Sequence, residues 1–147
     1  MICEQEHPSG GSKLKLLTDC SSWSDHMNGV KRIGVYILNN IPKEYCVTVI
    51  LSHRSVQQQL EHNQERYLEF IVSPIKSKLF IHYILIPFII NTRNFDVYWS
   101  HNHRFAPFLW SKMKRLMTVH DLCCLKHPQT MSRKTYWSQV MSFRKSV

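Results

Sequence analysis

Glycine and proline are scarce in this chain of 147 residues, at four and six respectively, and no segment repeats. A collagen-like, linker-like or repeat-built protein is excluded on that ground. Apolar runs are short. The longest, LFIHYILIPFII at residues 79–90, has twelve residues and contains His82 and Pro87, against the ~20 that a spanning helix needs. It reads as a buried element or, at most, an interfacial one. The opening MICEQEHPSGGSK has acids and no apolar core, so a signal peptide is not expected. A paired cysteine framework is missing too. Cys3, Cys20, Cys46, Cys123 and Cys124 make an odd, scattered set with one vicinal pair, and reduced thiols in a cytoplasmic protein follow as the expectation.

Acid is what the last third lacks. Residues 1–103 carry ten Lys/Arg against nine Asp/Glu, whereas residues 104–147 carry nine against one, Asp121. Nearly the whole formal charge of +9 therefore sits in that third. Such asymmetry points to an anionic partner, whether nucleic acid, a phosphate-bearing substrate or an anionic lipid surface. The plainer account is a solvated basic face, or one that an acidic region elsewhere covers. Trp110, Tyr136, Trp137 and Phe143 are interleaved with these cations, a composition that binds single strands or a membrane interface. The same residues also suit an amphipathic helix that packs Tyr136, Val140 and Phe143 inwards and leaves its basic face in water.

What is present is a globular composition, 44% hydrophobic and 20% charged, at the length of one domain able to bury a core. Residues 1–12 read as a flexible polar leader and residues 13–147 as the domain. Residues 13–18 (KLKLLT) predict a short strand ending at Asp19, followed by a Ser-, Asp- and Asn-rich loop. From Gly29, the residues Val30, Ile33, Ile37 and Ile41 recur at helical spacing until Pro42 stops them. VTVIL at residues 47–51 is a continuous β-branched run, as in a strand covered on both faces. Residues 55–66 suit a short exposed helix or a long loop, and residues 67–72 a strand. Residues 79–90 predict a buried helix whose last turn Pro87 disturbs. Two short strands follow at 96–99 and 116–120, and Ser132 caps a closing helix that runs to about residue 146. The order β-α-β-(α)-β-α-β-β-α gives an α/β, Rossmann-like layer structure with a mainly parallel sheet and flanking helices.

In such a sheet, ligands bind just outside the carboxyl ends of the strands. The stretch 96–121 puts two strand ends, at Ser100 and His120, beside one crevice, with Asp121 next to His120. A neutral imidazole there can hydrogen-bond a hydroxyl or assist proton movement near pH 7, and the carboxylate can orient the ring or cap the next turn. Gly29 opens a helix whose N-terminus can approach a phosphate, with Arg32 adding charge in the first turn. His101, His103, Cys123, Cys124 and His127 do not form the two Cys-x2–4-Cys half-sites of a zinc centre, so no metal is expected.

The ordered run Asp96-Val97-Tyr98-Trp99-Ser100, Asn102-His103, Ala106-Pro107, Thr118-Val119-His120-Asp121-Leu122 and His127-Pro128-Gln129-Thr130-Met131 resembles the N-terminal domain of family 4 glycosyltransferases. Asn28-Gly29-Val30-x-Arg32 is similar to that family's helix entry after the first strand. These segments cover roughly a third of the chain, and His101 stands where the family pattern usually has proline. The resemblance implies the first half of a GT-B fold: an acceptor-side domain facing a donor-side domain across a cleft. It implies transfer of a sugar from a nucleotide-sugar donor, with retained configuration and no metal, to a saccharide or lipid-linked acceptor. His120 and Asp121 would be catalytic, and Gly29, Arg32, Asn102 and His103 would bind substrate. No Glu-x7-Glu donor motif follows, since the last glutamate is Glu69. The expectation is therefore an incomplete domain, inactive alone, whose donor half is a separate C-terminal domain. It would be cytoplasmic or peripheral at the inner membrane face. The alternative is a basic module for nucleic acid or anionic membrane.

Overall fold

The computed structural model describes residues 13–23, 26, 28–42, 44–61, 68–101, 105–120, 123–133, 136, 137, 140 and 141. Five strands make one sheet: β1 (Leu14–Asp19), β2 (Tyr45–Leu51), β3 (Leu68–Val72), β4 (Val97–Ser100) and β5 (Lys114–Met117). Their order is β3-β2-β1-β4-β5, and every pairing is parallel. This is an α/β, Rossmann-like sheet, and its strand order reverses direction between β1 and β4. Among the described residues, no helix is long and apolar enough to cross a membrane.

Both faces of the sheet are covered, which the apolar runs of β1 and β2 require. On one face Leu16, Val47, Val49, Leu51 and Trp99 pack with Leu38 of α1 (Gly29–Asn40) and with Val56 and Leu60 of α2 (Arg54–Glu61). The alternate residues Leu17, Ile50 and Tyr98 point the other way. They meet Ile81, Ile86, Ile89 and Ile90 of a helical rod at residues 78–92, together with Ala106 from the β4–β5 connection. That connection carries Phe105, Leu109 and Met113 across the same face, so it serves as the crossover that parallel neighbours need.

The rod is three helical pieces in series: α3 (Lys78–Phe80), a π-helical turn (Ile81–Leu85) and α4 (Ile86–Thr92). In the π turn the Ile86 N–H reaches back five residues to the Ile81 carbonyl. Pro87 follows at once and is buried. A proline lacks the N–H that would bond four residues back, and its ring crowds that carbonyl. The disturbance expected in the last turn thus falls in the turn before the proline, where a wider winding absorbs it.

Two sequence expectations are corrected. The inward face of α1 is Lys31, Gly34 and Leu38, while Ile33 and Ile37 are 52% and 36% exposed. The helix is turned by one residue, roughly 100°, from the face that its isoleucines mark. The reason is contact: a Cβ at Gly34 would lie 2.2 Å from the Trp23 ring, so only a glycine lets α1 settle against it. The last strand is Lys114–Met117, ending three residues before His120. It is an edge strand with Lys114, Arg115 and Leu116 all exposed, and charged edges of this kind block further pairing. The closing helix is helical at residues 133, 136, 137, 140 and 141, with the Tyr136 N–H bonded to the Ser132 carbonyl and Val140 buried. Phe143 lies outside the described residues.

Leu38→Ala should cost about 2–5 kcal/mol, whereas Ile33→Ala should stay within about 0.5 kcal/mol. Urea-unfolding midpoints of the two variants check the orientation of α1, and equal losses would contradict it.

Candidate functional site

The strand order reverses between β1 and β4, the place where α/β sheets bind ligands at the strands' carboxyl ends, and two connections meet there. The end of β1 and the residues after it bring Asp19, Ser21 and Trp23. The end of β4 and the residue after it bring Ser100 and His101. Asp19 is buried, and its Oδ1 accepts from the Ser21 N–H at 3.0 Å and from the Ser21 hydroxyl at 2.6 Å. These bonds fold the chain sharply out of the strand, an Asx turn made by the residues themselves.

His101 forms the floor. It is 2% exposed, its ring centroid lies 4.0 Å from Trp99, and it meets the edge of Trp23 at 5.1 Å. Trp99 is itself pinned, its Nε1 donating to the Thr118 hydroxyl at 2.8 Å. The close approach of Gly34 completes the packing, with a Cβ there 3.2 Å from the His101 ring. Burial, and then the charge of nearby His120, lower the His101 pKa from 6.5 to about 4. The ring is therefore neutral at pH 7. Among the described residues, two buried polar atoms of this cluster, Trp23 Nε1 and His101 Nε2, have no hydrogen-bond partner.

His120 stands at the rim, half-buried, with Nε2 3.1 Å from the His101 carbonyl oxygen. A carbonyl can only accept, so the neutral ring carries its proton on Nε2 and keeps its lone pair on Nδ1. That tautomer suits a proton acceptor. The segment reaches this place because Thr118 continues the β5 register by donating its N–H to the Ser100 carbonyl at 2.9 Å.

Gly29 begins α1 behind the N-cap Asn28, whose Oδ1 accepts from the Lys31 N–H at 2.9 Å. Among the described residues, a Cβ at Gly29 would meet nothing within 4 Å. Arg32 is exposed in the first turn, its N–H bonded to the Asn28 carbonyl. The remaining sequence candidates, Asn102, His103 and Asp121, lie outside the described residues. Among the described residues, no group of three His, Cys, Asp or Glu side chains converges as a metal site.

Sequence reasoning did not single out Asp19, Trp23 or Asn28 as site residues, and weighed His101 only as a metal ligand. The cap had a legible signal, a polar amide just before a helical pattern. The others become site residues only through the strand order. Cys20 is buried, and burial, with Asp19 beside it, raises its thiol pKa well above 9.0. It stays protonated and packs as a small apolar group. An open groove lined by Arg54, Gln57, Gln58, Phe70 and Val72 lies towards the opposite sheet edge, where β1 and β2 separate it from β4.

Fold and site together define a Rossmann-like α/β domain with a buried cluster of Trp23, Trp99 and His101 at its strand-order reversal. Comparison with known proteins finds no matching family model, no matching curated protein and no matching solved structure.

A histidine whose folded pKa is depressed binds fewer protons folded than unfolded. Its contribution is complete above pH 6.5 and falls away as the pH drops to about 4. Urea unfolding across this window should show a loss of roughly 3 kcal/mol from this group. The loss should be absent in His101→Gln.

Proposed function

We propose that these residues form the acceptor side of a GT-B glycosyltransferase cleft, with the nucleotide-sugar site supplied mainly by a second Rossmann-like unit outside the 147 residues. The observation that carries this reading is the meeting of His120 with the β4 end. The two segments whose residues resemble the family are joined across neighbouring parallel strands by the bond from His120 Nε2 to the His101 carbonyl. Carboxyl-edge crevices at a strand-order reversal are where α/β proteins hold small ligands.

In this reading His120 Nδ1 accepts a hydrogen bond or a proton from the acceptor hydroxyl, and Asp121 caps the turn that follows. Asn102 and His103 contact the acceptor. Gly29 and Arg32 face the donor phosphates, where an open helix N-terminus favours anionic oxygens. Trp99 and His101 give the floor a rigid aromatic backing. Buried polar atoms without a partner among the described residues, as at Trp23 Nε1 and His101 Nε2, are places where a water or ligand group completes the bonding. Acceptor and donor are, by class, a saccharide or lipid-linked saccharide and a nucleotide sugar.

The test is side-chain NMR of the purified chain titrated with a panel of mono- and disaccharides and, separately, with uridine diphosphate. Saccharides should shift the His120, His101 and Trp99 ring signals, and His120→Ala should weaken that binding by about tenfold. Uridine diphosphate should bind weakly or not at all. Robust sugar transfer by the 147 residues alone would overturn the divided-site reading, and silence of these rings to every saccharide would overturn the acceptor reading.

A further inference from the structure

The outer face of the helical rod is apolar where it should be polar. Leu79, Tyr83, Ile84 and Phe88 are 68%, 47%, 57% and 64% exposed, on a rod roughly 20 Å long at ordinary helical rise. The patch continues past the rod's end. Asn91 Nδ2 donates to the Phe108 carbonyl at 2.9 Å, and its Oδ1 accepts from the Trp110 N–H at 3.0 Å. This clamp holds Phe108 and Trp110, 66% and 82% exposed, beside the last turn, while Leu109 between them packs inward.

Phe108 has a left-handed backbone, φ 58°, which a bulky residue adopts only at an energetic cost. The strain serves no core contact of its ring, which stays in water. A single exposed apolar residue needs no explanation, but a contiguous patch held partly by strain marks an interaction surface.

The charges around it define the partner. Between residues 69 and 120 there are seven Lys/Arg and two Asp/Glu. Lys76 and Lys78 are exposed at one end of the rod, and Lys112 and Arg115 at the other. Arg115 is tethered to the aromatic pair by a bond from its guanidinium to the Leu109 carbonyl at 3.1 Å. Both acids are turned elsewhere: Glu69 to Arg93 and Thr48, and Asp96 to the Lys15 N–H. Two copies pressed together through this face would oppose cationic rims. An anionic bilayer instead receives the apolar stripe at acyl depth, the Tyr and Trp at headgroup depth, and the cations at the phosphates.

We propose that this face, Leu79, Tyr83, Ile84, Phe88, Phe108 and Trp110 with its lysine and arginine rim, is a peripheral docking surface for anionic lipid membranes. The anionic contact thereby falls on the rod and the β4–β5 crossover, not on the cations that follow β5. It does not depend on the glycosyltransferase reading, because lipid binding needs no sugar transfer.

The experiment is co-sedimentation of the full chain with phosphatidylcholine vesicles containing phosphatidylglycerol, against pure phosphatidylcholine. Binding should require the anionic lipid and weaken several-fold as salt screens the rim. Phe88→Ser combined with Trp110→Ser should weaken it by about tenfold or more, while circular dichroism stays unchanged. The control removes two cations near the C-terminus, Arg144→Gln with Lys145→Gln, and should leave binding intact. Phe108→Gly supplies a variant that relieves the left-handed backbone. It should hold or raise the melting temperature and still weaken vesicle binding. Three outcomes would overturn the proposal: no preference for anionic vesicles, binding unaffected by the aromatic variants, or sedimentation showing a dimer that those variants abolish.

Discussion

Nothing in a parallel sheet can be left half-finished, because its strands are linked by crossovers and its two faces are both driven out of water. Here that constraint falls on β1 and β2, whose alternating residues divide the core. Leu16, Val47, Val49 and Leu51 need α1 and α2, while Leu17 and Ile50 need the helical rod and the crossover. The placement of every other element follows from serving one of these two faces. The strand-order reversal is a by-product of the same arithmetic. Crossovers that leave β1 and return to β2 on one side, and from β3 to β4 on the other, part company above the β1–β4 pair.

That parting is filled at its base by rings. His101 between Trp99 and Trp23 makes a stiff platform, and its neutral state is a consequence of how completely the tryptophans and α1 shut out water. A stiff platform suits a site that must hold a neutral ligand in one pose, because little side-chain order has to be imposed on binding. His120 is tied to it through the backbone of His101.

The fold was legible in the sequence where burial acts on both faces or where a residue type has one use. VTVIL could be only a covered strand, and Pro42 had to end α1. What was not legible depended on partners distant in sequence. The isoleucines of α1 mark a helical face correctly as apolar, yet that face turns outward because Trp23, eleven residues before Gly34, claims the side of the helix without a Cβ. β5 lacked an apolar alternation because it is an edge, where Lys114 and Arg115 do a different task. His120 drew attention as a candidate from its neighbours along the chain. The burial of His101 was not legible there, since it comes wholly from the rings that enclose it.

The π-helical turn carries a geometric consequence. In regular winding, positions nine apart, such as Leu79 and Phe88, point roughly 180° away from each other. One residue absorbed into a wider turn takes back about 100° of that. Leu79 and Tyr83 from the first turns then share a side with Ile84 and Phe88 from the last, while Ile81, Ile86, Ile89 and Ile90 share the opposite one. Pro87, by forcing that widened turn where it stands, acts as a phase-shifter: it splices two helical stripes that would otherwise diverge into one continuous seam inside and one outside.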